Sequence, residues 1–398
     1  MIAWLVMAAA MAEDPPKTSL HGDIKTFFVA SFPDGLDNTG QGIADFRLKF
    51  ESGIGDRWKF VAHHAITTFN VPPGAGLAGT NAGVGLQAPE FVDLTWQPDL
   101  GPGLTMRGRT DRLSAKYSTS GLDITLGRQP VTFGSGLVFT PMDIVNPFSA
   151  AVIDTEYKPG VDSLRIDAYF GTSARITGIA AWAGPFVHSG EELSAVDDVI
   201  YALNGTVTVG VTDLIGLVTS VRGEPVFGVG FISAIGPVGI HGDATLTLPP
   251  DTAIEEDPFV RAVVGADWRP GPTTTLTAEA YYQGFGSNDP DDFFAIFLGP
   301  RFARGEVWQV GRWYASVAVA QEITPLLNLN VAVVGNLADP SMLLTSGLGW
   351  SIADNATLSA GIYAGIGPSP DFSGLVPVLE SEFGTYPPSG FLSVRTYF

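Results

Sequence analysis

Polar and apolar residues alternate along this chain in repeated segments of about ten residues. The clearest segment, residues 44–52, alternates charged side chains with apolar ones: Asp45, Arg47, Lys49 and Glu51 against Phe46, Leu48 and Phe50. Residues 122–126, 164–170, 273–283 and 326–334 repeat the pattern. Because successive side chains of a strand point to opposite faces, a period of two predicts β-strands with one polar and one apolar face.

The composition favours strands that lie in a membrane. Charged residues make up only 16% of the 398 residues, and the mean hydropathy is +0.22. After the first dozen residues no uninterrupted run of about 18 apolar residues occurs, so no transmembrane helix is predicted. The chain has no cysteine, which excludes disulfides and thiol catalysis. Its net charge of −20 argues against a nucleic-acid partner.

The connections between the predicted strands are alternately short and long, as in bacterial outer-membrane barrels. Residues 53–56 form a short turn, for example, and residues 134–161 form a long connection. Counted in this way, the chain has about 18 strands, the first beginning near His21 and the last near Pro388. Residues 91–97 are also strand-like, but we assign them to the long connection between the third and fourth strands.

These features predict an all-β fold, a single transmembrane antiparallel β-barrel. An open sheet in lipid would leave backbone N–H and C=O groups unpaired at its two edges, so the sheet must close. A soluble two-sheet sandwich also alternates. It is disfavoured because tryptophans stand at strand ends on the apolar faces, as in the aromatic girdles of membrane barrels: Trp58, Trp182, Trp268 and Trp350.

The first twelve residues read MIAWLVMAAAMA and end in a small-x-small pattern at Ala10–Ala12. We interpret residues 1–12 as a signal peptide, residues 13–20 as a short periplasmic segment and residues 21–398 as the barrel. The alternative for residues 1–12 is the first turn of a buried helix. No Lys or Arg precedes the apolar run, which leaves the true N-terminus open.

Most of the negative charge falls in the long connections, at the predicted outer end of the barrel. The outer connections contain 24 Asp or Glu against four Lys or Arg, which equals the net charge of the whole chain. An acidic rim could hold divalent cations shared with lipopolysaccharide, or could simply keep the surface solvated. Outer-membrane lipid and lipopolysaccharide are therefore the expected surroundings of the chain.

Basic residues of the first seven strands share the polar face with a few carboxylates. They could form a charged ladder that guides anionic or hydroxyl-rich solutes, or an ion-pair network that stiffens the wall. The parity of Arg128 points to lipid unless Gly127 or Pro130 marks a bulge. The predicted pore-lining or solute-binding residues are Arg47, Lys49, Arg112, Lys116, Asp123, Arg128, Arg165, Asp167, Tyr169, Arg175, Glu279 and Tyr281.

An enzymatic site is not predicted. His241 and Asp243 share a strand face and form the best acid–base pair, but no nucleophile motif adjoins them. Asp289, Asp291 and Asp292 lack the glycine and the distal glutamate of a calcium-binding EF-hand loop, so they predict a solvated turn. No cofactor and no metal site are expected.

A local motif adds a family resemblance. Residues 126–136 read LGRQPVTFGSG, residues 141–148 read PMDIVNPF, and residues 157–165 read YKPGVDSLR as the next strand begins. This arrangement resembles outer-membrane channels of the alginate-export and carbohydrate-porin type. The resemblance implies that residues 134–160 lie over or inside the pore. It makes four residues candidates for a constriction: Phe139, Asp143, Asn146 and Phe148.

The resulting functional hypothesis is an outer-membrane channel for a hydrophilic solute. The resemblance favours a saccharide or an exported polysaccharide chain, and with export it implies a periplasmic partner. Two alternatives remain open: a general diffusion porin for small ions and solutes, and a plugged barrel with a structural or interaction role. The solute, the direction of transport and the oligomeric state do not follow from the sequence.

Overall fold

The computed structural model of the chain describes residues 18–33, 37–70, 90–101, 103–146, 157–184, 187–188, 191–192, 198–249, 257–303, 305–371 and 378–398. The signal peptide predicted at residues 1–12 and the constriction candidate Phe148 lie outside these residues and stay predictions.

Long antiparallel strands make up most of the described residues, and eighteen of them form the wall of one barrel. They are β1 Ser19–Ser31, β2 Thr39–Ile54, β3 Trp58–Asn70, β4 Leu104–Ser118, β5 Leu122–Gln129, β6 Val161–Phe170, β7 Ala174–Trp182, β8 Val199–Val209, β9 Thr212–Val221, β10 Glu224–Ile235, β11 Val238–Thr247, β12 Phe259–Trp268, β13 Thr274–Gln283, β14 Trp313–Thr324, β15 Leu327–Asn336, β16 Ser341–Ala353, β17 Ala356–Ile366 and β18 Ser389–Tyr397.

The sheet closes because the first strand pairs with both the second and the last. β1 pairs with β18 from Asp23 opposite Tyr397 to Ser31 opposite Ser389. Every other wall strand pairs with its neighbours in sequence, so the barrel has no free edge. Eighteen strands about 4.8 Å apart, tilted by about 40°, give a backbone diameter of roughly 35 Å. Wall side chains alone cannot fill so wide a lumen.

The predicted fold and strand number are confirmed. β1 begins at Ser19 and β18 at Ser389, within two residues of the predicted starts. Within residues 91–97 only Thr95–Trp96 pairs with another strand, and it lies against the outer half of β4 without being a wall strand. The assignment of this segment to the connection between β3 and β4 is therefore correct.

The outward-facing side chains are apolar and exposed, as lipid contact requires. Leu126, Val264 and Val317 are each more than half exposed on this face. Trp58, Trp268 and Trp350 are also exposed at the short-turn end, where an interfacial girdle belongs. A closed barrel of this size with an apolar outer surface is a membrane-spanning structure of the outer-membrane type.

The long connections lie at one end of the barrel, called the outer end below, and contain the short helices. Helices α1 (Phe293–Phe297) and α2 (Pro300–Ala303) follow a 3₁₀ turn at Pro290–Asp292, and a second 3₁₀ turn covers Phe383–Thr385. Asp289 accepts a hydrogen bond from the Asp291 amide, so this acidic turn caps its own backbone. Of the helices in the described residues, none is both long and apolar enough to cross a bilayer.

One irregularity changes which side chains of β4 face inward. His63 of β3 lies opposite Arg112 and His64 lies opposite Thr110, so Asp111 is the extra residue of a β-bulge. Alternation restarts after the bulge. Arg112 therefore joins Asp111 on the inner face.

Candidate functional site: the lumen

The chain leaves the wall after β5 and turns into the barrel. We call residues 130–146 and 157–160 the inward loop. Its tip reaches β11, where Asp243 accepts hydrogen bonds from the Ser135 amide at 2.6 Å, the Ser135 hydroxyl at 2.9 Å and the Gly136 amide at 3.0 Å. Five strands of the wall, β6 to β10, lie between β5 and β11, so the loop crosses the lumen rather than following the wall.

A second carboxylate holds the next residues of the inward loop. Glu279 of β13 accepts hydrogen bonds from three successive amides, those of Leu137 at 2.6 Å, Val138 at 2.9 Å and Phe139 at 3.0 Å. Nε2 of His241 lies 2.9 Å from the same carboxylate. Backbone N–H groups outside a sheet need other acceptors, and the side-chain oxygens of Asp243 and Glu279 supply them.

Aromatic packing reinforces these hydrogen bonds. The Phe139 ring stacks on Tyr281 of β13 with centroids 4.8 Å apart, and it also contacts Tyr314 of β14 at 5.8 Å. On the other side, Met142 packs over Gly228 and Gly230 of β10, where an added Cβ would approach its thioether within 3.2–3.3 Å. The absence of side chains at these two inward positions makes room for the loop.

The glycines of the LGRQPVTFGSG motif are required for this close approach. Gly134 has φ +92°, and an added Cβ would lie 2.7 Å from Oδ2 of Asp243. A Cβ on Gly136 would overlap the Phe139 carbonyl. The motif therefore encodes a turn that can press its backbone against a carboxylate.

A buried ion pair closes the base of the inward loop. Nζ of Lys158 lies 2.7 Å from the Asp143 carboxylate and also donates to the Val131 carbonyl at 2.6 Å and the Thr132 hydroxyl at 2.9 Å. Burial raises the pKa of Asp143, although the Lys158 ammonium opposes this shift. Asn146 donates to the Pro159 carbonyl at 2.9 Å, which ties the two ends of the loop together.

A second outer segment, residues 378–388, covers the lumen face of β14 to β17. Glu382 is buried there and accepts hydrogen bonds from the Tyr314 hydroxyl at 2.5 Å, the side-chain amide of Asn336 at 2.9 Å and the backbone N–H of Val310 at 3.3 Å. Burial raises the pKa of Glu382 to about 7, and the nearby Asp339 adds to this rise. The three hydrogen-bond donors act in the opposite direction and lower the pKa.

The opposite wall, formed by β18 and β1 to β7, has an inner face rich in paired charges. Arg47 contacts Asp111, and Lys49 lies 2.7 Å from Asp23. Asp23 also pairs with Arg395 of β18 at 3.0 Å, across the strand pair that closes the barrel. Ion pairs thus connect these strands, as in one of the two alternatives left open by the sequence.

The return end of the inward loop meets this charged wall at Tyr157. The Tyr157 ring lies between two guanidinium groups, 3.8 Å from Cζ of Arg47 and 4.7 Å from Cζ of Arg112. Nδ1 of His63 is 2.5 Å from the Tyr157 hydroxyl, and Arg112 donates to the Lys158 carbonyl.

Nearer the short-turn end, the remaining predicted residues also share the inner face. Lys116 pairs with Asp123 at 2.7 Å, and Asp123 accepts a hydrogen bond from Tyr169 at 3.0 Å. On β6, Arg165 pairs with Asp167 at 2.7 Å. Arg175 of β7 lies directly opposite Tyr169 in register.

The two walls differ in the sign of their inner charge. In the described strands, the inner face of β18 and β1 to β7 has eleven basic and six acidic residues: Lys25, Arg47, Lys49, Lys59, Arg107, Arg109, Arg112, Lys116, Arg165, Arg175 and Arg395 against Asp23, Asp45, Glu51, Asp111, Asp123 and Asp167. Counting lysine and arginine alone, the inner face of β8 to β15 has one basic residue, Arg261, against Asp213, Glu224, Asp243, Asp267, Glu279 and Glu322.

Three predicted pore-lining residues are covered by other segments of the chain. Arg128 stays in register opposite Asp162, on the outward side of β5, because Gly127 has φ +114° without adding a residue to the strand. Its guanidinium is buried and forms ion pairs with Asp162 at 2.8 Å and with Glu90 at 3.1 Å. Glu279 and Tyr281 face inward as predicted, but the inward loop covers both.

Four residues that organise the lumen were not among the predicted site residues. They are Asp111, Tyr157, Lys158 and Asp243. Tyr157 and Lys158 stand in the motif that carried the family resemblance, so that signal was available. Nothing local to Asp243 or Asp111 indicates a partner more than 60 residues away.

Comparison with solved structures gives the same architecture. OccAB4 of Acinetobacter baumannii matches with a TM-score of 0.61 and 8% identity, over 97% of this chain and 99% of that chain. OccK2 (OpdF) of Pseudomonas aeruginosa matches with 0.60 and 10%, over 96% and 97%. A BenF-like porin from Pseudomonas fluorescens Pf-5 matches with 0.59 and 10%, over 96% and 98%.

No family model matches the chain, and no curated protein matches it. At these low identities the structural matches establish the fold, an 18-stranded barrel of the outer-membrane porin kind. They do not single out the alginate-export type that the sequence motif resembles.

Proposed function

We propose that the chain is an outer-membrane channel for small hydrophilic solutes, restricted by the inward loop. The observation that carries this proposal is the clamp between the loop and the far wall, six hydrogen bonds from residues 135–139 to Asp243 and Glu279. A barrel roughly 35 Å wide has room for both a loop and a water-filled passage. The likeness to solved outer-membrane porins supports the same conclusion.

A small solute is a better candidate than a polysaccharide chain. A loop fixed across the lumen narrows the passage, whereas an exported polymer needs a continuous wide path. The structural matches are to porins, and no observation calls for a periplasmic export partner. A saccharide of small size remains compatible with the many polar side chains of the charged wall.

The charged wall would set selectivity. The inward loop covers part of the acidic wall, which is the inner face of β8 to β15. Asp243 and Glu279 of this wall accept hydrogen bonds from backbone amides of the loop. The wall that remains for a solute has a basic excess, which favours anionic or hydroxyl-rich solutes over cations. Predicted pore-lining residues with this role are Arg47, Lys49, Arg112, Lys116 and Arg165.

Conductance in planar lipid bilayers tests the proposal. The purified wild-type chain should form open channels with a reversal potential that indicates anion preference. The D243N/E279Q double variant should conduct several-fold more current, because both clamps on the loop are weakened. Excision of residues 138–152 should have an effect in the same direction.

The D213N/E322Q variant is the matched control. It also removes two negative charges from the inner face of β8 to β15, but near the short-turn end and away from the loop. Its conductance should stay near the wild-type value. A silent wild-type chain would instead favour a plugged barrel, and equal conductance in all variants would remove the loop from the mechanism.

A further inference from the structure

Arg261 is an unusual residue on the acidic wall. It lies near the outer end of β12, faces inward and is only 4% exposed. Within the described part of the chain it forms no ion pair, and its Nε has no hydrogen-bond partner. A buried guanidinium is costly unless an acceptor is present, so this side chain points to a missing partner.

Hydroxyl groups beside Arg261 are also without partners. Thr245 of β11 lies directly opposite Arg261 in register, and Thr247 is the next inward residue of the same strand. Both are buried, and neither Oγ1 has a hydrogen-bond partner among the described residues. Thr219 of β9 shows the same feature at the level of Thr247, with Val226 between them.

The neighbouring acceptors and charges are engaged elsewhere. On the side of β13, Gln283 lies opposite Arg261, but its amide donates to the Gln309 carbonyl at 2.8 Å and its oxygen accepts from Tyr281 at 3.2 Å. Asp243, the next inward residue below Thr245, binds the tip of the inward loop.

Above Arg261, the outer connection contributes a second guanidinium with its own carboxylates. Arg301 stacks over Phe259 at 4.5 Å and pairs with Glu224 at 3.0 Å and Glu306 at 2.9 Å. Both glutamates face the same region and are used by Arg301. Among the described residues, the cation of Arg261 therefore lacks a dedicated counter-charge.

We propose that Arg261, Thr245 and Thr247 form a binding site for a small monovalent anion, between the acidic wall and the outer connections. A guanidinium and two hydroxyls can all donate hydrogen bonds to one anion. Halide from the medium and the carboxylate of a solute share this chemistry. The site is separate from the basic wall, and it does not depend on the proposed channel function.

Bromide provides the direct test. Crystals of the full-length wild-type chain grown with bromide in place of chloride should show anomalous density within hydrogen-bond distance of the Arg261 guanidinium and Thr245 Oγ1. The R261Q variant should lose this density. No density at Arg261 in the wild type, or density that persists in R261Q, would overturn the proposal.

A solution measurement covers the case in which R261Q folds poorly. At constant ionic strength, replacing gluconate by chloride should raise the melting temperature of the wild type in a saturable manner, by about 2 °C. The nearly isosteric T245V variant should lose most of this rise. R57Q, which removes an exposed arginine at a short turn, should keep it. An equal chloride response in the wild type, T245V and R261Q would contradict the site.

Acetate distinguishes the two sources of anion. If acetate displaces the bromide density in wild-type crystals, the site accepts carboxylates as well as halide ions. If bromide persists in excess acetate, the site is a halide site. Either result supports binding at Arg261 and identifies its ligand class.

Discussion

The two sides of the barrel are built from the same alternating strands but use their inner charges in opposite ways. On β18 and β1 to β7, basic residues pair with carboxylates of the same or a neighbouring strand, and several pairs remain partly exposed to the lumen. On β8 to β15, carboxylates predominate, and Asp243 and Glu279 bind backbone amides of the inward loop. A carboxylate inside a wide barrel can thus serve either as a partner for a cation or as an anchor for a loop.

The comparison extends to the ion pairs themselves. The Lys158–Asp143 pair that closes the inward loop is almost fully buried, with side chains 9% and 3% exposed. The Lys59–Glu51 pair of the charged wall is far more accessible, at 44% and 25%. Breaking a buried pair leaves an uncompensated charge in a poor dielectric, whereas breaking an exposed pair returns the charge to water.

The largest predicted effect follows from this difference. K158M should lower the free energy of unfolding by about 3–5 kcal/mol, because the Asp143 carboxylate loses its partner while buried. K59M, the matched change in the charged wall, should cost less than about 1 kcal/mol. Denaturant titration of the purified chain measures both. Similar losses in the two variants would refute the distinction between the buried pair of the loop and the exposed pair of the wall.

The effect of pH on the docking of residues 378–388 over β14 to β17 comes next in size. The pKa of Glu382 is raised from 4.5 to about 7, mainly by burial. The Glu382 carboxyl therefore binds a proton more tightly when residues 378–388 are docked on the wall. Docking is therefore strongest below pH 4.5 and weakens as the pH rises through about 7. The difference corresponds to on the order of 3 kcal/mol.

Hydrogen exchange at Phe383–Thr385, corrected for intrinsic rates, measures this docking. Protection in the wild type should fall by about 100-fold between pH 5 and pH 8. E382Q removes the titrating group, so its protection should be nearly independent of pH. Constant protection in the wild type would show that Glu382 does not control the segment.

The fold was predictable because its determinants are local. Period-two alternation and short turns mark each strand within a few residues. The predicted starts of β1 and β18, the two strands that close the barrel, lie within two residues of the observed starts. The bulge at Asp111 was missed because β4 has no glycine or proline at that point. It was also the reason that Asp111 was not recognised as an inward partner of Arg47.

The site was only partly predictable because its contacts are distant in sequence. Parity correctly assigned Glu279 and Tyr281 to the inner face. It could not indicate that residues 137–139, about 140 positions earlier, would cover them. Arg128 illustrates the opposite case, since the alternation rule pointed outward and a supposed bulge at Gly127 suggested otherwise. The register shows that simple alternation was the better guide there.

A smaller effect is expected where the inward loop meets the charged wall. Y157L removes a ring held between Arg47 and Arg112 and should lower the free energy of unfolding by about 1–2 kcal/mol. Y157F keeps the ring and should lose less. Y169L, at a more exposed tyrosine of the same wall, is the matched control. If Y157L and Y169L lose the same amount, the stacking with two guanidinium groups adds nothing.

The smallest change in stability should accompany the sharpest test of the charged wall. Lys116 and Asp123 form a pair whose lysine is 39% exposed, so K116Q should alter the free energy of unfolding by less than about 1 kcal/mol. Removing one inward positive charge should nevertheless shift the reversal potential in a salt gradient toward cation preference. R57Q removes a charge at an exposed short turn and should shift it less. A K116Q channel with unchanged selectivity would mean that this pair lies outside the conducting path.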